Sequence, residues 1–264
     1  MAINKGENML DKIRRYIESL ETDAIPQISV NCVILGFHEN TLKVIVNGVS
    51  AGENKLMLLP GGYVKQDEDL DDAVKRVAEE STGLNDILLK QFAVFGKASR
   101  SFARDIAGLA EARSEIDPSV INWLSRRFLS LCYLALVDYN TIELKPIQFF
   151  DSVRWLSIEQ AGTLAMDHAD IMASAREFLV KEMPYAPIAS NLLPTRFTLP
   201  DLQVLVESIL DRKIDRPNFR RKILSTGMLE KVGIDKTRKR RPADIYRFKY
   251  GKTTTLIDNL KFGF

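Results

Sequence analysis

Residues 59–84, LPGGYVKQDEDLDDAVKRVAEESTGL, restrict the fold of this chain more than any other segment. A proline and two glycines close an apolar stretch, an acidic polar loop follows, and a helical pattern then runs to Gly83. Leu70, Ala73, Val74, Val77, Ala78 and Ser81 fall on one stripe at the i, i+3, i+4, i+7 spacing, which predicts an amphipathic helix over 68–82. At about 100° per residue, Glu79 points to the opposite side of that helix. Gly83 is suited to the left-handed position just past a helix end. Glycine turn, Glu68, Arg76 and the closing TGL together are far more specific than helical periodicity alone.

The chain has 264 residues, room for two domains. With 45% hydrophobic and 27% charged residues it has the balance of a globular protein. The polar opening MAINKGENMLDKIRRYIESLE predicts no signal peptide, and no apolar run approaches the roughly 18 residues that span a membrane. A cytoplasmic location is the expectation. Cys32 and Cys132 both lie in apolar strand-like runs without metal-ligand spacing, so buried free thiols are expected. His38 and His168 are too few and too far apart for a His-rich metal site.

Charge is divided along the chain. Of 37 Lys and Arg, 17 lie between Leu192 and Phe264, where only 8 of the 35 Asp and Glu are found; the rest of the chain has 20 basic against 27 acidic residues. An acidic N-terminal part joined to a strongly basic C-terminal part suggests that the second part meets a polyanion.

Residues 8–21 read as a short helix. ISVNCVILGF and TLKVIVNGV read as strands joined at His38–Asn40, KLMLLPGGYV as a third strand, ILLKQFAVFG as a fourth and RRFLSLCYLALV as a long one. Residues 97–125 read as an irregular, charged insertion, and VRWLSIEQAGTLAMDHADIMASAREFLVKEM as a return to helix. Strands alternating with two long helices predict a mixed α/β sandwich. The proline-rich 186–197 reads as a linker. Thr198, with a proline in the first turn and Asp201 three residues on, opens a helix whose stripe is Leu202, Leu205, Val206 and Ile209. A second helix opens at Asp215, with Phe219, Ile223 and Leu224 as its apolar side and Gly227 at its end. MLEKVG, KTRKRRP and ADIYRFKY then read as a hairpin. Helix, helix and hairpin in this order make a winged helix-turn-helix pattern over 198–264.

Asn218, Arg221, Lys222 and Ser225 lie opposite the Phe219–Ile223 side of the second helix; Arg216 sits in its first turn and Arg220 flanks the stripe. Arginine can fork onto guanine and asparagine onto adenine in the major groove. Lys236, Arg238, Lys239, Arg240 and Arg241 put five positive charges into the six-residue tip of the hairpin, suited to phosphates or the minor groove. Double-stranded DNA is the expected partner. RNA fits less well, because no aromatic stacking platform for single strands is apparent.

The 59–84 segment resembles a Nudix box, G-x5-E-x7-R-E-U-x-E-E-x-G-U with U aliphatic. Gly62, Glu68, Arg76, Gly83 and Leu84 match it. The three metal-holding glutamates of the pattern fall at Val77, Glu80 and Ser81, so a single carboxylate remains where Mg²⁺ ordinarily needs more than one beside substrate phosphates. The expectation is a domain that binds rather than cleaves, with no catalytic residue, no metal ligand and no cofactor.

LPGGYV, DEDLDDAVKRV, STGL, WLSIEQ and MDHADIMASA, and above all SNLLPTRFTLPDLQVLVESIL, DRPNFRRKIL and RRPADIYRF, are similar to the Nudix-related transcriptional regulators of the NrtR family. The resemblance covers nearly the whole chain. It implies a Nudix-like mixed-sheet α/β/α sandwich over 1–185 that senses an effector, followed by a small winged helix-turn-helix domain. It also implies a homodimer and a palindromic operator. Family effectors include ADP-ribose and sugars such as arabinose, and DEDLDDAVKRV resembles the sugar-responsive members. Residues 97–125 replace an RDPRGR-like run of the family, of which Arg127 remains. Arg76, Glu80 and Arg127 are the candidate effector contacts, although Arg76 would equally serve by pairing with an acidic neighbour. His168 either approaches the same cleft or makes a local bond at a helix start. The alternative function is a Nudix pyrophosphohydrolase of a nucleoside diphosphate derivative with a basic C-terminal extension.

Overall fold

The structure is a computed structural model that describes residues 27–51, 54–85, 87–100, 102, 105, 108, 111, 117–144, 150–182, 191–235 and 242–249. The helix expected at 8–21 lies outside the described residues, as do the 236–241 hairpin tip and residues 186–190 of the expected linker.

β1 (Ile28–His38) and β2 (Thr41–Ala51) form a hairpin in which His38 pairs with Thr41. Its two turn residues, Glu39 and Asn40, both have positive φ, 51° and 61°. Such a primed turn carries the twist of the two strands through the connection. KLMLLPGGYV divides into β3 (Asn54–Leu58) and β4 (Gly61–Tyr63), because Pro60 has no N–H to give to a ladder. β3 pairs with β2 and β4 with β1, while the Pro60 carbonyl accepts from the Cys32 amide at 2.8 Å. β5 (Leu89–Phe95), β6 (Leu129–Leu136) and β7 (Ser152–Ser157) complete a seven-stranded sheet with the path β3-β2-β1-β6-β5. Among the described residues, only the β1–β6 pairing is parallel. VRWLS is therefore strand rather than helix: β7 lies antiparallel on β2, and the helix begins later, at His168.

The central strand β1 is apolar on both faces. Val30, Cys32 and Ile34 pack with Ile45, Tyr133 and Ala135 beneath Val74, Val77 and Ala78 of helix α1 (Leu70–Thr82). Val33 and Leu35 point the other way, joining Val44, Val46, Cys132 and Leu134 beneath Ile171, Met172, Ala175 and Leu179. The side chains of a strand alternate between faces, so a continuous apolar run implies cover on both sides. Cys32 and Cys132 consequently serve opposite faces as free, buried thiols, and burial pushes both up to about 12.

Within the segment expected to be irregular, Asp117 caps a short helix, α2 (Pro118–Leu124), by accepting from the Ser119 amide at 2.7 Å. The charged composition hid a standard helix start, an aspartate followed by a proline. Helix α3 (His168–Glu182) covers the second sheet face.

The C-terminal module begins with β8 (Phe197–Thr198) and α4 (Leu199–Leu210), continues with α5 (Arg216–Ser225), and ends with β9 (Leu229–Asp235) and β10 (Ala243–Phe248). The expected hairpin is thus the larger part of a three-stranded sheet, β8-β10-β9. Thr198 and Asp201 form a reciprocal capping box, and Gly227 takes φ 66°. Leu202, Leu205, Ile209, Phe219, Ile223 and Tyr246 are buried. Val206 is only half-buried and Leu224 is exposed, so the apolar stripe is narrower than expected. Leu192, Leu193 and Phe197, within the segment read as linker, are buried in the same apolar cluster that holds α3 and α4. That cluster runs without a break from the large sheet into the winged module.

Candidate effector and nucleic-acid sites

The glycine–loop–helix segment is held together by Arg76. Its guanidinium meets the Glu68 carboxylate twice, Nε to Oε1 at 2.7 Å and an Nη to Oε2 at 2.9 Å, and also donates to the Tyr63 carbonyl at 3.0 Å. Glu80 lies 3.5 Å from the same guanidinium. Hydrogen bonding from Arg76 brings the Glu68 carboxyl down to about 2. The pair closes the loop onto the helix, which is the structural role foreseen for Arg76.

Where the resemblance places metal-holding glutamates, the donor set does not suit a divalent ion. Val77 is buried, and its methyl lies so close to Gly62 that a Cβ on that glycine would come within 2.7 Å of it. Ser81 is buried and donates its hydroxyl to the Val77 carbonyl at 2.8 Å. Glu80 is left facing Arg76. A hard cation wants several oxygens with free lone pairs, and these three positions offer one salt-bridged carboxylate.

Beside this segment, His168 is buried at the start of α3, and its Nδ1 accepts from the Leu59 amide at 2.7 Å. The bond fastens the residue before Pro60 to α3. Burial, aided by the charge of Arg100 and opposed by that of Asp167, lowers the His168 pKa to about 4. The folded protein holds a neutral imidazole that an unfolded chain would protonate near 6.5. Its contribution to stability is therefore complete above that value and lost as pH falls towards 4. Unfolding free energy should drop by up to about 3 kcal/mol across this window. Urea titrations at several pH values check this, and a His168→Gln variant with the same slope as the wild type would refute it.

Next to His168, Asp167 receives Arg100 Nε at 2.6 Å and an Nη at 3.2 Å; Arg100 also donates to the Phe128 carbonyl at 2.8 Å and stacks over Phe102. This pair floors a pocket of about 510 Å³ lined by Phe95, Lys97, Arg100, Phe102, Asp105 and Asp170, among others. Arg127 borders it rather than entering, donating to the Gly96 carbonyl at 2.7 Å. Its Nε is buried without a partner among the described residues. Tyr63, Trp123 and Phe128 form an aromatic cluster, with ring centres 4.5 to 5.1 Å apart, that ties α2 to the glycine turn. Described residues of the 97–125 segment thus line the pocket, and Trp123 packs on Tyr63 of the glycine turn. Arg100 carried no sequence signal, since neither periodicity nor a known motif surrounds it.

In the winged module, Asp215 caps α5 through the Asn218 amide at 3.0 Å. Arg216, Arg220 and Arg221 are exposed, while Asn218 and Lys222 are half-buried. Arg221 donates to Asn218 Oδ1 at 2.7 Å, so two of the expected base-reading side chains are already oriented together. Glu207, buried and unforeseen, pins the turn between the helices: its Oε1 accepts from the Ile214 amide at 3.0 Å and from Gln203 at 2.9 Å, and its Oε2 from Lys213 at 3.0 Å. Burial pushes the Glu207 carboxyl up, but these three donors outweigh it and leave the group below its ordinary value. Lys231–Asp244 at 2.6 Å and Arg247–Glu230 at 3.0 Å cross-link the hairpin. Lys236, Arg238, Lys239, Arg240 and Arg241 lie outside the described residues.

A mixed-sheet domain with a Nudix-like loop–helix segment, continued by a winged helix, defines a DNA-binding transcription regulator. Comparison with known proteins shows which regulators it is similar to. Residues 189–248 match the NrtR DNA-binding winged helix domain. Over 228 residues the chain is 28% identical to the ADPR responsive transcriptional repressor NtrR of Acinetobacter baylyi, covering 84% of this chain and 82% of that protein. Shewanella oneidensis NrtR superposes with a TM-score of 0.62 at 26% identity, covering 87% of this chain and 97% of that one. The same protein complexed with a 27mer DNA gives 0.61 at 27% identity, covering 84% and 93%. The winged module is thus of the NrtR type, and the chain as a whole is similar to Nudix-related regulators of the NrtR family. Among the described residues, no helix is long and apolar enough to cross a membrane.

Proposed function

We propose that this protein is a cytoplasmic repressor that binds a palindromic operator as a homodimer, and that its Nudix-like domain senses a small metabolite without hydrolysing it. The packing of Val77 against Gly62, beside an Arg76 committed to Glu68 and Tyr63, carries this reading: the segment keeps its architecture and lacks a metal cage. An ADP-ribose-like effector is favoured because the Acinetobacter relative is ADPR responsive. The pocket beside α3 suits the polyhydroxyl ring that ADP-ribose and free sugars share. Asp105 and Asp170 can accept from hydroxyls, and Phe95 and Phe102 offer apolar surface. Three aspartates against Lys97 and an Arg100 already paired with Asp167 make it a poor seat for a diphosphate, which would extend towards the glycine turn, where Arg76 and Glu80 lie.

On DNA, α5 would enter the major groove with Arg221 and Asn218 towards base edges. Arg216, Arg220 and Lys222 would contact phosphates or flanking bases, and the basic hairpin tip would lie along the backbone. Arg221→Ala should cost about 1–3 kcal/mol of discrimination between operator and mismatched duplex. Fluorescence anisotropy on both duplexes measures it, and an equal loss on the two would remove Arg221 from base reading.

Function is tested by recovering and sequencing the genomic fragments that the purified protein retains, then titrating the retained duplex with ADP-ribose and, separately, L-arabinose. A recurrent palindrome whose binding weakens with one of them supports the reading. Retention without sequence preference rules it out, and a palindrome that responds to neither refutes both effector classes.

A further inference from the structure

The winged module is gripped from outside by one residue of the Nudix-like domain. Arg176, on α3, donates Nε to the Ile209 carbonyl, one Nη to the Ser208 carbonyl and the other to Asp211 Oδ2, each at 3.2 Å. Ser208 and Ile209 are in the last turn of α4, whose carbonyls have no helical N–H to accept from. A cation at this end is also favoured by the helix dipole. Asp211 follows in the left-handed conformation, φ 55°, and the chain then turns through 212–215 into α5.

That turn is therefore held from two sides. Glu207 holds it from within through Ile214 and Lys213, and Arg176 holds it from across the domain boundary. A planar guanidinium spreads its donors over three nitrogens and reaches two carbonyls and a carboxylate at once; a lysine has all three of its donors on one nitrogen and lacks that spread. Arg176 sits eight residues along the helix that opens at His168, which puts it about 12 Å along the axis from the Asp167–Arg100 pair and the pocket. α3 is packed along its length, with Ile171, Met172, Ala175 and Leu179 in the core.

We propose that Arg176 is a positioning residue for DNA recognition: from the sensing domain it fixes the angle at which α5 leaves the inter-helix turn. The assignment rests on α5 being the recognition helix. It does not depend on which effector is sensed.

The test uses the full-length protein with Arg176→Ala and Arg176→Lys. Hydrogen exchange in 208–215 should quicken by about tenfold in the alanine variant, with exchange in β1 and α1 unchanged. Operator affinity, measured on the duplex that the wild type retains, should fall by about tenfold. The lysine variant should recover less than half of either effect. Arg176 is partly exposed and leaves no cavity when shortened, so both variants should fold, as a melting temperature close to the wild type would show. Exchange in 208–215 within twofold of the wild type would overturn the proposal, as would quickened exchange with unchanged operator affinity, or full recovery by lysine. If the wild type itself binds no specific duplex, it is the regulator reading that fails and the role of Arg176 in DNA recognition falls with it, even where exchange in 208–215 quickens.

Discussion

Replacing Arg100 by alanine is expected to destabilise the protein by about 3–5 kcal/mol, because it strands the Asp167 carboxylate without its cation. The Arg100 side chain is 6% exposed and that of Asp167 17%. Water cannot take over the lost contacts cheaply, and the Phe128 carbonyl loses its donor as well. Removing both charges together should hurt much less: Arg100→Met with Asp167→Leu is expected to recover more than half of the loss, since a buried pair contributes little relative to apolar packing. Urea unfolding of the two single variants and the double variant measures this. A single-variant loss below 1 kcal/mol, judged against the range for a broken buried pair, would show that solvent reaches the pair and that the pocket floor is not rigid.

Val77→Glu is the second large effect. Restoring the carboxylate that the Nudix pattern carries does not restore a metal site, because the side chain would emerge against Gly62 in an apolar layer with Val30, Cys32 and Ala78. An unpaired carboxylate there should cost about 3–5 kcal/mol or take up a proton instead. Denaturant unfolding gives the cost, and Mg²⁺-dependent turnover of ADP-ribose gives the activity, expected to be nil in both wild type and variant. Turnover by the wild type that Glu80→Gln abolishes would overturn the non-catalytic reading and favour the pyrophosphohydrolase alternative. A stable, active Val77→Glu would show that the position opens into the cleft rather than the core.

Both variants probe residues that differ in how far they could be read from sequence. Val77 stood out because helical spacing alone places it among Val74, Ala78 and Ser81, and the buried stripe of α1 follows that spacing. The Thr198–Asp201 capping box, the Asp215 cap and the left-handed Gly83 and Gly227 were legible for the same reason: each is decided within one turn of chain. The division of KLMLLPGGYV into two strands, and VRWLS as strand, were not. Those depend on which neighbour offers a ladder edge, and β2 and β1 offer theirs only in the assembled sheet.

The sequence by itself determined the α1 segment, the two-helix-and-hairpin order of the C-terminal module, its basic charge and hence its partner class. All of these follow from periodicity, capping and composition. Only the tertiary structure decided which charges are spent internally. Arg100 meets Asp167 across 67 residues, and Arg176 meets Ile209 across 33. A guanidinium satisfied by distant carbonyls and carboxylates looks, in sequence, like any solvated arginine. What separates the two is desolvation and the geometry of the planar fork, and both arise only when the sheet, α3 and α4 are packed together.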